Sequence, residues 1–214
     1  SRALPNFDYK GAVAIAPASY LAETLSFGMG IANNAAASNT PQGIQTAKQI
    51  AGTLYGYAAI VSSGIKAEKP TFRYDQAFLN TKVPLAQVAE IECSPQVAAG
   101  FRDDIQSYID GGGTYGDYQA LQPNFILDTD VDAYLDANLP GQNPIPKRVY
   151  VFQGGQDTTV PAYITATLLF PQLLGVVEDI EQEDLIIDEP ADHQSIMTRN
   201  ISAIVDKVDE FMSQ

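Results

Sequence analysis

Two side chains carry most of the chemistry legible in this chain: Asp157, and the only histidine, His193. His193 stands in Ala191-Asp192-His193-Gln194-Ser195. A neutral imidazole with a pKa of about 6.5 takes a proton from a hydroxyl at neutral pH. Asp157 ends the stretch Val149-Tyr150-Val151-Phe152-Gln153-Gly154-Gly155-Gln156-Asp157, a short apolar strand running into a glycine turn. A carboxylate there can accept the second ring N–H of a histidine and stabilise the imidazolium. An acid after one strand and a histidine after the next are the last two members of a Ser-Asp-His site, in that chain order. Each residue also has a plainer job, Asp157 as a helix N-cap and His193 as a capping residue. Asp188 and Asp192 compete with Asp157 for the histidine, but residues so close in sequence rarely aim at each other.

No nucleophile stands out. The sequence holds no G-x-S-x-G, and Gly112-Gly113-Thr114-Tyr115-Gly116 matches it only with threonine and after a helical stretch. Ser19, following the first strand, lacks the glycines of a nucleophile elbow, and it is expected to line the substrate site or to pack in a turn. Val160, beside the acid turn, is the second expected substrate contact. Asp128, Asp130 and Asp132 imitate the start of a calcium loop, but Ala133 stands where the glycine is needed and Leu139 where the final glutamate is needed. One histidine and one cysteine make a zinc site improbable, and neither metal nor cofactor is expected.

Hydrophobic residues make up 45% of the 214, enough for a packed core. Charged residues are only 18% and leave a net charge of -14. Nucleic acids and anionic membrane surfaces need clustered Lys and Arg, so both are excluded as partners. Apolar runs fall short of a membrane span, and stable insertion is not expected. Cys93, alone, is expected to be a free buried thiol. The chain opens on Ser1-Arg2-Ala3-Leu4-Pro5-Asn6 and meets its first strand almost at once, which reads as a processed or partial product.

The elements that must position the two side chains follow from periodicity. Gly11-Ala12-Val13-Ala14-Ile15-Ala16-Pro17 is a wholly apolar strand, suited to a parallel sheet covered on both faces. Residues 18 to 140 form a helical subdomain. One helix starts at Asn39-Thr40-Pro41 and is closed near Gly64. Gly52 and Gly56 on it permit a second helix to approach closely. Shorter helices are expected over 83–92 and 95–109. Residues 110–116 form a flexible loop, and Asp130 caps a last helix ending near Leu139. Strand and helix alternate from there. Val149–Phe152 is a strand, 161–174 a helix interrupted by Pro171, and 185–187 a strand. The final helix, 194–212, sets Met197, Ile201, Ile204, Val208 and Phe211 on one face. The fold class is α/β, with core segments 1–17 and 141–214 flanking the helical insertion.

These residues resemble the carboxyl-terminal half of the α/β-hydrolase superfamily. Gly11–Pro17 is similar to its sixth strand, the stretch after it to a large helical cap, Val149–Pro161 to the seventh strand and acid turn, and Ala191-Asp192-His193 to the loop after the eighth. Within the superfamily the cap and first strand look most like secretory lipases of the Candida antarctica lipase A type and their bacterial relatives. The resemblance implies a carboxylic-ester hydrolase acting on ester or lipid substrates, secreted or periplasmic. Asp157 would be its orienting acid, His193 its base, and the cap would form the acyl pocket. It also implies a partner. The amino-terminal half of such a hydrolase, with the serine and the oxyanion donors, would be a separate chain, and this one would fold stably only against it. Two other readings stay open, a serine peptidase of the same fold and a non-catalytic binding or assembly fragment.

Overall fold

The computed structural model describes residues 8–213. In chain order come β1 (Ala12–Ile15), α1 (Leu21–Ala37), α2 (Pro41–Glu68), α3 (Val83–Ala86), α4 (Ser94–Asp110), α5 (Thr129–Ala137), β2 (Val149–Gly154), α6 (Ala162–Ile164), a π-helical turn (Thr165–Leu169), α7 (Phe170–Leu174), β3 (Leu185–Asp188), α8 (Ser195–Arg199) and α9 (Ile201–Met212). Short 3-10 turns lie between them. The chain divides into two compact units, Ser1–Thr24 with Leu139–Gln214, and Leu25–Asn138. Among the described residues, no helix is long and apolar enough to cross a membrane.

The first unit is built on a parallel sheet ordered β1-β2-β3. Ala12 pairs with Val149 and Ile15 with Phe152, while Val151 pairs with Leu185 and Gly154 with Asp188. Every residue of β2 is buried. Val149 and Val151 pack with Leu169, Phe170, Leu173 and Val177 on one face. Tyr150 and Phe152 pack with Ile196, Ile204 and Phe211 on the other. Helices on both faces explain why β2 is an unbroken apolar run, since neither side meets water. Burying each such side chain contributes about 1.5–3 kcal/mol. Two ion pairs tie the strand ends. Arg148, just before β2, grips Asp184, just before β3, with Nε and Nη2 at 2.8 and 2.7 Å. Asp188, closing β3, accepts from Arg199 Nε at 2.8 Å and Asn200 Nδ2 at 3.0 Å.

The second unit is helical. Thr40 caps α2 by accepting from the Gly43 amide, with Pro41 in the first turn. Added Cβ atoms on Gly52 and Gly56 would come within 3.1 Å of Ala98 backbone atoms, so glycine lets α2 and α4 lie close together. Around that contact Tyr55, Phe72, Phe78, Phe101 and Tyr118 form a buried aromatic cluster.

Several expectations are corrected. The boundary of the helical unit lies at Leu25 rather than residue 18, because Tyr20 packs with the sheet and its hydroxyl donates to Gln172 Oε1 at 2.7 Å. Helix α2 runs past Gly64 to Glu68. Asp128 rather than Asp130 caps α5, accepting from the amides of Asp130 and Val131. Cys93 is exposed, immediately before α4. The final helix breaks at Asn200, whose side-chain Nδ2 donates to Ile196 O and Asp188 Oδ2. The break puts Ile196, Ile204 and Phe211 in the core and leaves Met197, Ile201, Val205 and Val208 exposed. The helix over 161–174 is interrupted, as expected around Pro171: the π turn Thr165–Leu169 separates α6 from α7, and the Phe170 amide bonds to Thr165 O.

Candidate active site

Asp157 sits in the turn after β2, three residues beyond the strand end. Its loop and the loop after β3 are sewn together by main-chain bonds, Gly155 N to Asp188 O at 2.9 Å and Gln156 N to Ala191 O at 2.8 Å. The glycines are needed for this approach rather than for an unusual φ. A Cβ on Gly154 would lie 2.6 Å from Ala191 O, and one on Gly155 would lie 2.7 Å from Glu189 Cα. The sequence thereby brings the segment Ala191-Asp192-His193 over the carboxyl end of β2.

There the Asp157 side chain is fully buried and the His193 side chain is 39% exposed. His193 Nδ1 lies 2.8 Å from Asp157 Oδ2. The other carboxylate oxygen, Oδ1, accepts from the amides of Thr159 and Val160, both at 2.8 Å. Oδ2 also accepts from Gln153 Nε2 at 3.3 Å. Three donors surround the carboxylate besides the ring, and an ionised carboxylate only accepts, so Nδ1 carries the ring proton in the pair. That leaves Nε2 with the lone pair, and among the described residues it makes no hydrogen bond. The hydrogen bond to Asp157 raises the His193 pKa above its ordinary value, partly offset by burial and aided by the charges of Asp157 and Asp192. A base exposed at one nitrogen and held by a buried carboxylate at the other can remove a proton from a hydroxyl and return it to a leaving group.

The competing carboxylates have other partners. Asp192 Oδ1 accepts from Gln194 N, Ser195 N and Ser195 Oγ, which fixes the loop that presents His193. Asp188 is engaged by Arg199 and Asn200.

Val160 belongs to the acid turn through its backbone. Its amide donates to Asp157, its carbonyl accepts from Gln153 Nε2 at 2.8 Å, and its side chain is buried. Among the described residues Ser19 makes no hydrogen bond to the pair. It lies in the loop after β1, 1% exposed, with its carbonyl accepting from Thr24 Oγ1 and its hydroxyl buried without a partner among the described residues. That loop holds Ala16 and Tyr20 at φ values of 44° and 47°. Such angles cost side-chain-bearing residues about 1–3 kcal/mol each. Of the aspartate triplet, Asp128 caps α5 and Asp130 pairs with Lys69. Among the described residues no group of three or more His, Cys, Asp or Glu could hold a metal ion.

Sequence reasoning missed Gln153 and Thr165, both fully buried beside the acid. The only available signal was a glutamine ending an otherwise apolar strand. Compared with models of known families, with curated proteins and with solved structures, the chain has no match.

Proposed function

We propose that this chain supplies the acid and base of a serine-type carboxylic-ester hydrolase, with the nucleophilic serine on a segment outside these 214 residues. The observation that carries the reading is the 2.8 Å contact between His193 Nδ1 and Asp157 Oδ2 at the carboxyl ends of adjacent parallel strands. Ligands bind at that edge of open α/β sheets.

In this reading, Nε2 of His193 takes the serine proton as the hydroxyl oxygen attacks the ester carbonyl. Asp157 stabilises the imidazolium that forms. The proton passes to the departing alcohol, leaving an acyl-enzyme. A water then loses its proton to Nε2 and attacks the acyl carbon, and the acid leaves as serine recovers its proton. The serine and the oxyanion donors come from the amino-terminal part of the same hydrolase as a separate chain, and the enzyme works outside the cytoplasm on ester or lipid substrates.

The test is hydrolysis of p-nitrophenyl esters by the chain in its native assembly. His193→Ala is expected to abolish it, and in the wild-type assembly a fluorophosphonate probe is expected to label a serine of the partner. Retained turnover in that variant, or no labelled serine in an active assembly, would refute the reading.

A further inference from the structure

We infer that Gln153, locked by Thr165, is a positioning residue that fixes the Asp157 carboxylate so that Oδ2 faces His193 Nδ1. The role rests on the acid-and-base reading above, since Gln153 acts through Asp157 and lies away from substrate.

Gln153 is a strand residue of β2 with none of its surface exposed. Its Nε2 is surrounded by three acceptors, Val160 O at 2.8 Å, Gly154 O at 3.2 Å and Asp157 Oδ2 at 3.3 Å. Its Oε1 accepts from Thr165 Oγ1 at 2.9 Å, and Thr165 is also fully buried. Only one orientation of the amide satisfies this shell. Turned over, Oε1 would face two carbonyls and a carboxylate, and the Thr165 hydroxyl would lose its acceptor. Thr165 opens the π turn, and its hydroxyl lies against Gln153.

The consequence reaches His193 through counting. A carboxylate has about four acceptor positions. The Thr159 and Val160 amides occupy those of Oδ1, and Gln153 and His193 share Oδ2. Without Gln153 the carboxylate would, apart from the ring, be held by protein donors only at Oδ1, and Oδ2 would be placed less firmly against the histidine. Nδ1–H would then no longer be enforced, and Nε2 would carry the lone pair only part of the time.

The chain's single histidine makes this measurable, because only one pair of ring nitrogens appears in the spectrum. We would record ¹⁵N NMR of His193 against pH in the full chain, with this chain alone carrying the label in the presence of any partner it purifies with. The wild type should hold its neutral ring proton on Nδ1 and titrate above the ordinary value of about 6.5. Gln153→Met should shift the nitrogen resonances toward a mixture of tautomers and bring the midpoint down toward about 6.5. Thr165→Val should do the same in smaller measure, with Thr165→Ser restoring the wild-type signature. In the active assembly, Gln153→Met should lower kcat roughly tenfold with KM little changed. A folded Gln153→Met protein with the wild-type tautomer and midpoint would overturn the role. Should that variant not fold, Thr165→Val decides by the same criterion. Asp157→Ala separates the two levels. If it too leaves the resonances unmoved, the Asp157–His193 pair itself is refuted, and the positioning role goes with it. If Asp157→Ala moves them and Gln153→Met does not, only the role of Gln153 is lost.

Discussion

The helical unit, Leu25–Asn138, and the sheet unit are packed to different ends. The first buries rings against small residues, with Phe101 lying 5.7 Å from Phe78 and 5.6 Å from Tyr55 between ring centroids. Its close helix contact is set by glycine and alanine. The second buries Gln153, Asp157, Thr165 and Asp184 within or beside a three-stranded sheet. Burying polar groups is unfavourable unless each finds a partner, and all four do. Asp184 serves the strand ends through Arg148, whereas Gln153 and Asp157 hold a buried carboxylate beside a half-exposed histidine, the arrangement on which the proposed function rests.

Substitutions can break or sharpen this contrast. The largest effect is expected from Asp157→Asn. Placing an amide against Nδ1 removes the preference for the required tautomer, so ester hydrolysis by the assembly should fall about 10⁴-fold in kcat. Its unfolding curve should still show a cooperative transition. An unchanged rate would mean that the buried polar groups serve the fold alone. Next is Phe101→Ala in the helical unit. Loss of a ring with no exposed surface should destabilise the chain by about 3–5 kcal/mol in urea denaturation. The His193 titration midpoint should stay where it is, and movement of that midpoint would show that the two units do not divide the labour this way.

The smallest effect is a pH dependence. Asp157 raises the His193 pKa in the folded state. The pair therefore contributes stability that is fully present below the unfolded value of about 6.5 and is lost as pH rises through the higher folded value. Because the imidazole is 39% exposed, water screens the pair, and the contribution should stay below about 1 kcal/mol. Urea midpoints of wild type and His193→Gln should differ most at acid pH and converge at alkaline pH. A gap that widens toward alkaline pH would reverse the sign and contradict the pairing.

Much of the sheet unit was legible because apolar runs between glycine and proline admit few readings. Three short strands in a parallel order, the acid turn after one and the histidine loop after the next, follow from local pattern. What escaped is decided at long range. Nothing beside Gln153 in sequence announces that its amide is held by Thr165, which lies on the helix after the acid turn. Asn200 reads as an ordinary helical position until Asp188, on another element, offers its carboxylate. The apolar residues of α9 follow a helical period, yet that period cannot say which of two neighbouring apolar stripes meets the sheet. Ile204 and Phe211 do, while Ile201, Val205 and Val208 do not. Asp128 and Asp130 are equally good caps by type, and the choice fell to the residue whose oxygen reaches two amides.

Among the described residues β2 alone has a neighbouring strand on each side. Its amides should therefore be the last in the sheet to trade hydrogen for deuterium. Fraying would begin at the flanks, loosening the segment that bears Ser19 and the one that bears His193 while the Asp157 turn still had its strand beneath it. The histidine would be lost from its carboxylate well before the molecule as a whole came apart, so heat or urea should silence such a site ahead of global melting.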